Sequence, residues 1–255
     1  MVAALLELEA QMRGQMIGLF AVFLRVGAAM ALMPGFGEQA VPMRVRLGLA
    51  VAFSLVVWPL VPGLPADALP ARYFFSETIA GLSLGLFFRL FVIVLQLAGS
   101  IAAQATSLSQ IFGGSATPDP MPAFGNLLVV GGLALAMQAG LHVKLALALV
   151  DSYRAVPPGT LPSGADLAEW GTAGISRAFA TAFSLSAPFL IVSVLYNLAL
   201  GAINRAMPQL LVAFVGAPAI TLGGLMLIAL AAPFLLVLWL GRLDAGLSDP
   251  FGGAW

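Results

Sequence analysis

Two arginines sit where a membrane-length apolar run tolerates them least: Arg25 near the middle of residues 16–33, and Arg89 near the middle of residues 78–98. A mid-helix arginine costs about 2.5–3.5 kcal/mol on the insertion scale, while each leucine returns only about 0.3–0.6 kcal/mol. Neither helix is therefore expected to face lipid all round. Each guanidinium is expected to meet carbonyls or a carboxylate at a helix or subunit contact, with a polar conduit as the sharper alternative. His142 and Lys144, the single histidine and single lysine, lie two residues apart, about 200° around a helix, and so cannot act as one site. The eleven carboxylates, Glu7, Glu9, Glu38, Asp67, Glu77, Asp119, Asp151, Asp166, Glu169, Asp244 and Asp249, are expected in loops or at segment ends, whereas a self-contained proton relay needs them inside the membrane. With no cysteine, thiol nucleophiles, disulfides and thiolate metal sites are excluded, and one histidine cannot build a multi-histidine metal centre. No G-x-x-x-x-G-K-[ST] run is present to cradle a nucleotide phosphate. The expectation is a chain without catalytic, metal or cofactor site, and not an enzyme.

One polar stretch stands apart. Gln104, Thr106, Ser107, Ser109 and Gln110 lead into Ile111, Phe112, Gly113 and Gly114, followed by Pro118, Asp119, Pro120 and Pro122. In lipid its backbone groups would go unsatisfied, so it must be a loop in water, in protein or lining a cavity. It reads either as a simple connector or as a loop that projects Ile111 and Phe112 into a pore, where apolar side chains close a constriction by excluding water.

These residues are carried by an overwhelmingly apolar chain. Of 255 residues, 61% are hydrophobic and 9% charged, against roughly 25% charged in a soluble domain. The formal net charge is zero, so no basic surface exists for nucleic acid. Uncharged intervals at 47–66, 90–118, 120–143, 178–204 and 206–241, and the apolar runs 16–33 and 78–98 with one arginine each, have the ~20-residue length that spans about 30 Å of hydrocarbon. They make about six hydrophobic helical segments.

Pro59, Pro62, Pro65 and Pro70 predict an extended second connection, and Pro157, Pro158, Gly159 and Pro162 do so for the fourth. A short amphipathic helix is expected around 166–170. Pro208, Pro218 and Pro233 predict a short helix or hairpin before the last full span. Gly14 with Gly18 and Gly81 with Gly85 have the spacing that lets membrane helices approach closely. Glu7 and Glu9 ahead of Arg13 do not read as a secretory signal. With an even span count, Arg13, Arg72, Arg154, Arg177 and Arg242 fall on the side of the termini and Arg44, Arg46 and Arg205 on the other, which favours termini inside.

Several runs, taken together, carry a family resemblance. They are Phe23-Leu24-Arg25-Val26; Pro34-Gly35-Phe36-Gly37; Val41 and Pro42 with Arg44 and Arg46 through Ala50; and Glu77 through Gly85. Further along come Ala98-Gly99 with Gln104, Asp151-Ser152-Tyr153 before Pro157, and Asn204-Arg205-Ala206-Met207-Pro208-Gln209 before Gly216-Ala217-Pro218. In this order and spacing, over nearly the whole chain, the sequence resembles the FliR/SctT family of type III secretion export-gate subunits.

The resemblance implies an all-α membrane protein of bent helical hairpins, several broken by Pro or Gly, within a hetero-oligomeric export gate. It implies one subunit over 1–255, with a FliP-like part over roughly 1–177 and a FliQ-like C-terminal hairpin over 178–255. Its place would be the bacterial inner membrane at the flagellar basal body. Its partners would be FliP-type and FliQ-type subunits, an FlhB-type switch protein, membrane lipid and unfolded flagellar export substrates in transit, with no nucleic acid. The family's channel plug would fall on Gln110 to Pro122, with Ile111 and Phe112 as its side chains, although Gly113-Gly114-Ser115 is less bulky than that role suggests. Two alternatives compete: a secondary transporter for a small solute, which should show repeated halves and a midplane site, and the virulence injectisome homologue.

Overall fold

The computed structural model describes residues 2–38, 40–61, 70–106, 123–207 and 212–251. Among them there are seven α-helices and no strand: α1 (Val2–Met30), α2 (Met43–Val57), α3 (Pro70–Ala105), α4 (Ala123–Gln138), α5 (Leu141–Ala155), α6 (Gly164–Ala206) and α7 (Val212–Ser248). A 3-10 turn, Trp58–Leu60, extends α2. Five helical stretches are long and apolar enough to cross a membrane: Gln11–Met30, Met43–Leu60, Ala71–Ala105, Gly164–Ala206 and Ala219–Ser248. A sixth arises if α4 and α5 are taken as one span, broken where Gly140 adopts φ +79°. The expected helical class and span count follow directly.

Three expectations are corrected. The helix around 166–170 is not a short separate element but the first turns of α6, which runs for 43 residues with Pro188 inside it. Among the described residues no hairpin precedes the last span: α7 is one helix of 37 residues, carried past Pro218 and Pro233. In an apolar bundle, neighbouring helices and local adjustments can satisfy the carbonyls that a proline frees. Helix α3 begins at Pro70, a full two turns before the apolar run at Thr78, and so takes Glu77 into its body.

The described chain clusters into two compact units. The first comprises Met1–Leu90, Met137–Gly174 and Leu243–Trp255. Its core is built on Val22, Val26, Ala29, Met30 and Met33 of the α1 region, and on Leu84, Phe87 and Phe88 of α3. Gly81 and Gly85 lie against the backbone of Arg25 and Ala29, where a β-carbon would collide. The four-residue glycine spacing here brings two helices into backbone contact. Gly14 has open space around it, so the same spacing does no such work there. Near the end of the chain, Trp170 stacks between Phe87 and Phe251 at 5.3 and 5.9 Å, and its Nε1 donates to the Pro250 carbonyl at 3.1 Å.

The second unit comprises Phe91–Ala136 and Ile175–Arg242. Trp239 is fully buried in it, and its indole N–H donates to the Phe91 carbonyl at 2.9 Å. Gly99 meets the backbone of Gly125, and Gly132 meets Leu95 and Trp239. Phe124 and Phe189 pack at 6.2 Å.

Candidate functional site

Arg25 projects from α1 into the middle of the first unit and is entirely removed from solvent, as is Glu77 of α3. Arg25 Nε donates to Glu77 Oε2 at 2.8 Å. Its Nη1 reaches Ser152 Oγ of α5 at 3.3 Å, and its Cζ lies 3.8 Å from the centroid of the Tyr153 ring. The other carboxylate oxygen, Glu77 Oε1, accepts the Gly159 amide at 2.8 Å. Gly159 sits after α5 with φ +71°, its carbonyl accepts Arg72 Nε at 2.6 Å, and a β-carbon on it would strike the Tyr73 ring. One carboxylate thus ties α1, α3 and the loop behind α5. The adjacent cavity, about 140 Å³, is lined by Arg25, Ser83, Ser152, Leu167 and Trp170 among others.

This cluster answers the question posed by the mid-helix arginine: its counter-charge comes from the same chain. It also corrects the expectation that every carboxylate lies in a loop or at a segment end, because Glu77 is wholly buried inside α3. A buried ion pair gains little over a well-packed apolar pair, but losing one partner strands the other charge. Such a clasp is brittle toward single substitutions, and its residues show no nucleophile and base in catalytic contact.

The second arginine is also paired within the chain. Arg89 Nη1 donates to Glu38 Oε1 at 2.7 Å, with both side chains about one quarter exposed. Glu38 belongs to the corner between α1 and α2. There Pro34 is buried, Gly35 takes φ +78°, and Gly37 is pressed on the carbonyl of Ala31. Arg46 Nη2 donates to the Glu38 and Val41 carbonyls at 2.8 and 3.5 Å, and Phe36 packs edge-on to Phe53 at 5.5 Å. Pro42 precedes the first turn of α2, and Arg44 is exposed.

The remaining predicted residues are scattered. Asn204 and Arg205 are exposed at the end of α6. Pro208 and Gln209 lie outside the described residues, as do Gln110, Ile111, Phe112, Gly113 and Gly114. His142 is exposed, while Lys144 pairs with Asp244 at 2.7 Å, so the two form no joint site. No group of three or more potential metal-ligating side chains occurs among the described residues. Ser152, Tyr153 and Gly159 are the clasp members that sequence reasoning missed. Asp151-Ser152-Tyr153 stood out only as a motif piece, and nothing local announces that it faces Arg25.

Residues 16–246 match the family model described as bacterial export proteins, family 1. Over 230 residues the chain is 33% identical to the flagellar biosynthetic protein FliR of Caulobacter vibrioides, covering 87% of this chain and 90% of that protein. It is 29% identical over 219 residues to the protein of the same name from Escherichia coli, with 83% of each chain covered. To that from Bacillus subtilis it is 27% identical over 205 residues, 77% and 79% of the two chains.

Proposed function

This chain belongs to the bacterial export proteins, family 1, and we propose that it is a core subunit of the flagellar type III protein export gate, without chemistry of its own. The observation that carries the reading is a single ordered match over 16–246, joined to flagellar relatives aligned along most of their own length. Their flagellar name favours the flagellar system over the injectisome. The family membership displaces the small-solute transporter.

The finer reading is ours. The chain sits in the bacterial inner membrane and assembles with FliP-type and FliQ-type subunits and an FlhB-type switch protein, around a path for unfolded axial proteins. Residues 1–177 form its FliP-like part and 178–255 its FliQ-like hairpin. Gln110 to Gly114 supply the plug, and the signature runs at Pro34–Arg46 and Asn204–Gln209 serve assembly. What supports assembly is the family match over most of the chain, together with exposed apolar surface such as Phe179, Phe183, Leu195 and Leu198 along α6.

The test is to express the chain with its neighbouring FliP-type and FliQ-type genes, purify through a tag on this chain, and weigh the detergent-solubilised particle by native mass spectrometry. One hetero-oligomer of fixed composition is expected; a lone monomer or homodimer that ignores those partners overturns the reading. In the assembled particle, replacing Ile111 and Phe112 by serine should raise the resting ion conductance of vesicles. Unchanged conductance with intact assembly removes the plug assignment.

A further inference from the structure

The cavity beside the clasp, about 140 Å³, is lined entirely by residues of the first unit. Its lining joins two groups that lie far apart in sequence. Arg25 and Ser152 belong to the clasp and are 0% and 3% exposed, whereas Phe251 near the chain end is 37% exposed. The cavity therefore leads from the clasp to the surface. Asp166 is exposed on the same lining, and a carboxylate there puts that rim in water. Between the two ends the walls offer little to water. Ala80, Val156 and Leu167 are apolar, and the Ser83 and Ser152 hydroxyls donate to the Ile79 and Leu149 carbonyls of their own helices at 2.8 and 2.6 Å.

The rim is finished by the end of the chain. The Asp249 amide donates to the Ala245 carbonyl at 3.1 Å, and Pro250, which has no N–H to give, turns the chain out of α7. Pro250 is buried and its carbonyl accepts Trp170 Nε1 at 3.1 Å. The Phe251 ring stacks on Trp170, which stacks in turn on Phe87. Leu243 and Leu247 are buried in the last turns of α7, so the helix is fixed up to this point. Beyond it a hydrogen bond and a ring stack seat the strap. Contacts of these kinds each shift an equilibrium by roughly tenfold, so the strap opens more readily than the helices it covers.

We propose that Pro250 and Phe251 form a strap that limits the entry of water to this cavity, and that its release is the step that wets the Arg25–Glu77 pair. The attraction between two charges falls as water replaces protein around them. Arg25 is also the clasp member most open to capture by water, because its Nη2 has no hydrogen-bond partner among the described residues. The end of the chain thus regulates how tightly α1, α3 and the loop behind α5 are held. The inference uses the first unit alone and stands apart from the export-gate reading.

The chain has no cysteine, so a single introduced one reports entry. Ser83→Cys places a thiol on the cavity wall without touching the clasp. The full chain, with whatever subunits co-purify, is treated in detergent with methyl methanethiosulfonate, a small neutral thiol reagent, and modification is followed by mass spectrometry. Adding Phe251→Ala should speed the reaction at Ser83→Cys about tenfold, the worth of one ring stack. Ala182→Cys, at a fully buried position of the second unit, should stay unreactive in both backgrounds. An unchanged rate at Ser83→Cys overturns the proposal, and so does an equal gain at Ala182→Cys, which would mean that the chain as a whole has loosened.

A thermal double-mutant cycle separates a strap that keeps the clasp dry from ordinary packing. Phe251→Ala should lower the unfolding temperature of the native chain by a few degrees. In the Arg25→Met, Glu77→Leu background, where no buried charge remains to be wetted, the loss should be less than half as large. Equal losses in the two backgrounds would make Phe251 a packing residue with no bearing on the clasp, and would overturn the proposal.

Discussion

In the first compact unit Arg25, Arg89, Lys144 and Arg154 each meet a carboxylate within 2.9 Å. In the second, the largest fully buried side chain is Trp239, which makes one hydrogen bond to a helix carbonyl and packs on Gly132, while Gly99 meets the backbone of Gly125. The contrast teaches how two regions of one apolar chain obtain a defined structure by different means. Among lipid-like neighbours, apolar burial does not distinguish one helix arrangement from another, so packing of small residues and polar contacts must do so. The second unit relies mainly on shape, aided by a charged contact in which Arg242 Nη1 donates to the buried Thr181 Oγ1 at 2.6 Å. The first adds a directional constraint: Glu77 has two oxygens, and each is claimed by a different element.

The largest expected effect breaks that constraint. Glu77→Ala leaves the Arg25 guanidinium uncompensated in the interior, and such a loss typically costs about 3–5 kcal/mol. Yield and thermal unfolding of the detergent-solubilised chain should both collapse. The double variant Arg25→Met with Glu77→Leu removes both charges and should recover most of the loss, since apolar replacement of a buried pair is often neutral or better. If Glu77→Ala unfolds at the native temperature, the clasp does not hold the first unit and the contrast between the units dissolves. Next comes Gly159→Ala, which puts a β-carbon against the Tyr73 ring at φ +71°. Strain of this kind costs about 1–3 kcal/mol. A melting temperature unchanged from the native chain would show that the loop can present its amide to Glu77 from another conformation.

Much of this architecture is legible in the sequence, and the parts that are not have physical reasons. Long uncharged runs give the helical membrane class because only spans of that length satisfy their own backbone in lipid. Arg25 and Arg89 announce that they need partners because a lone guanidinium in such a run is too costly. The identity of the partners is hidden. Glu77 sits eight positions into α3 at the edge of an apolar run, and hydropathy places an edge residue in water, whereas the helix continues beyond the run. Prolines mislead in α7 for a related reason. Pro233 reads as a break when only local propensity is weighed, yet α7 continues past it. Gly81 and Gly85 carry the right spacing, but Gly14 carries it too, and only the tertiary neighbour separates them.

Smaller substitutions sharpen the comparison. Trp239→Phe keeps one six-membered ring but deletes the pyrrole ring with its hydrogen bond to the Phe91 carbonyl, a loss of about 1 kcal/mol for the bond and about 1 kcal/mol more for the cavity left. A drop as large as that for Glu77→Ala, read by the same thermal unfolding, would mean that the second unit also depends on a polar anchor.

The smallest effect is expected inside the first unit itself. Lys144 and Asp244 lie 2.7 Å apart, against 2.8 Å for the buried pair, but their side chains are 34% and 41% exposed. Exposure screens the attraction and lets either charge be solvated alone, so Lys144→Met should cost under about 1 kcal/mol. Two ion pairs of nearly equal length, 2.8 and 2.7 Å, would then differ severalfold in consequence, and burial rather than charge would be the source of the first unit's brittleness. A Lys144→Met loss matching that of Glu77→Ala would reverse that assignment, making the number of ion pairs, and not their depth, what separates the two units.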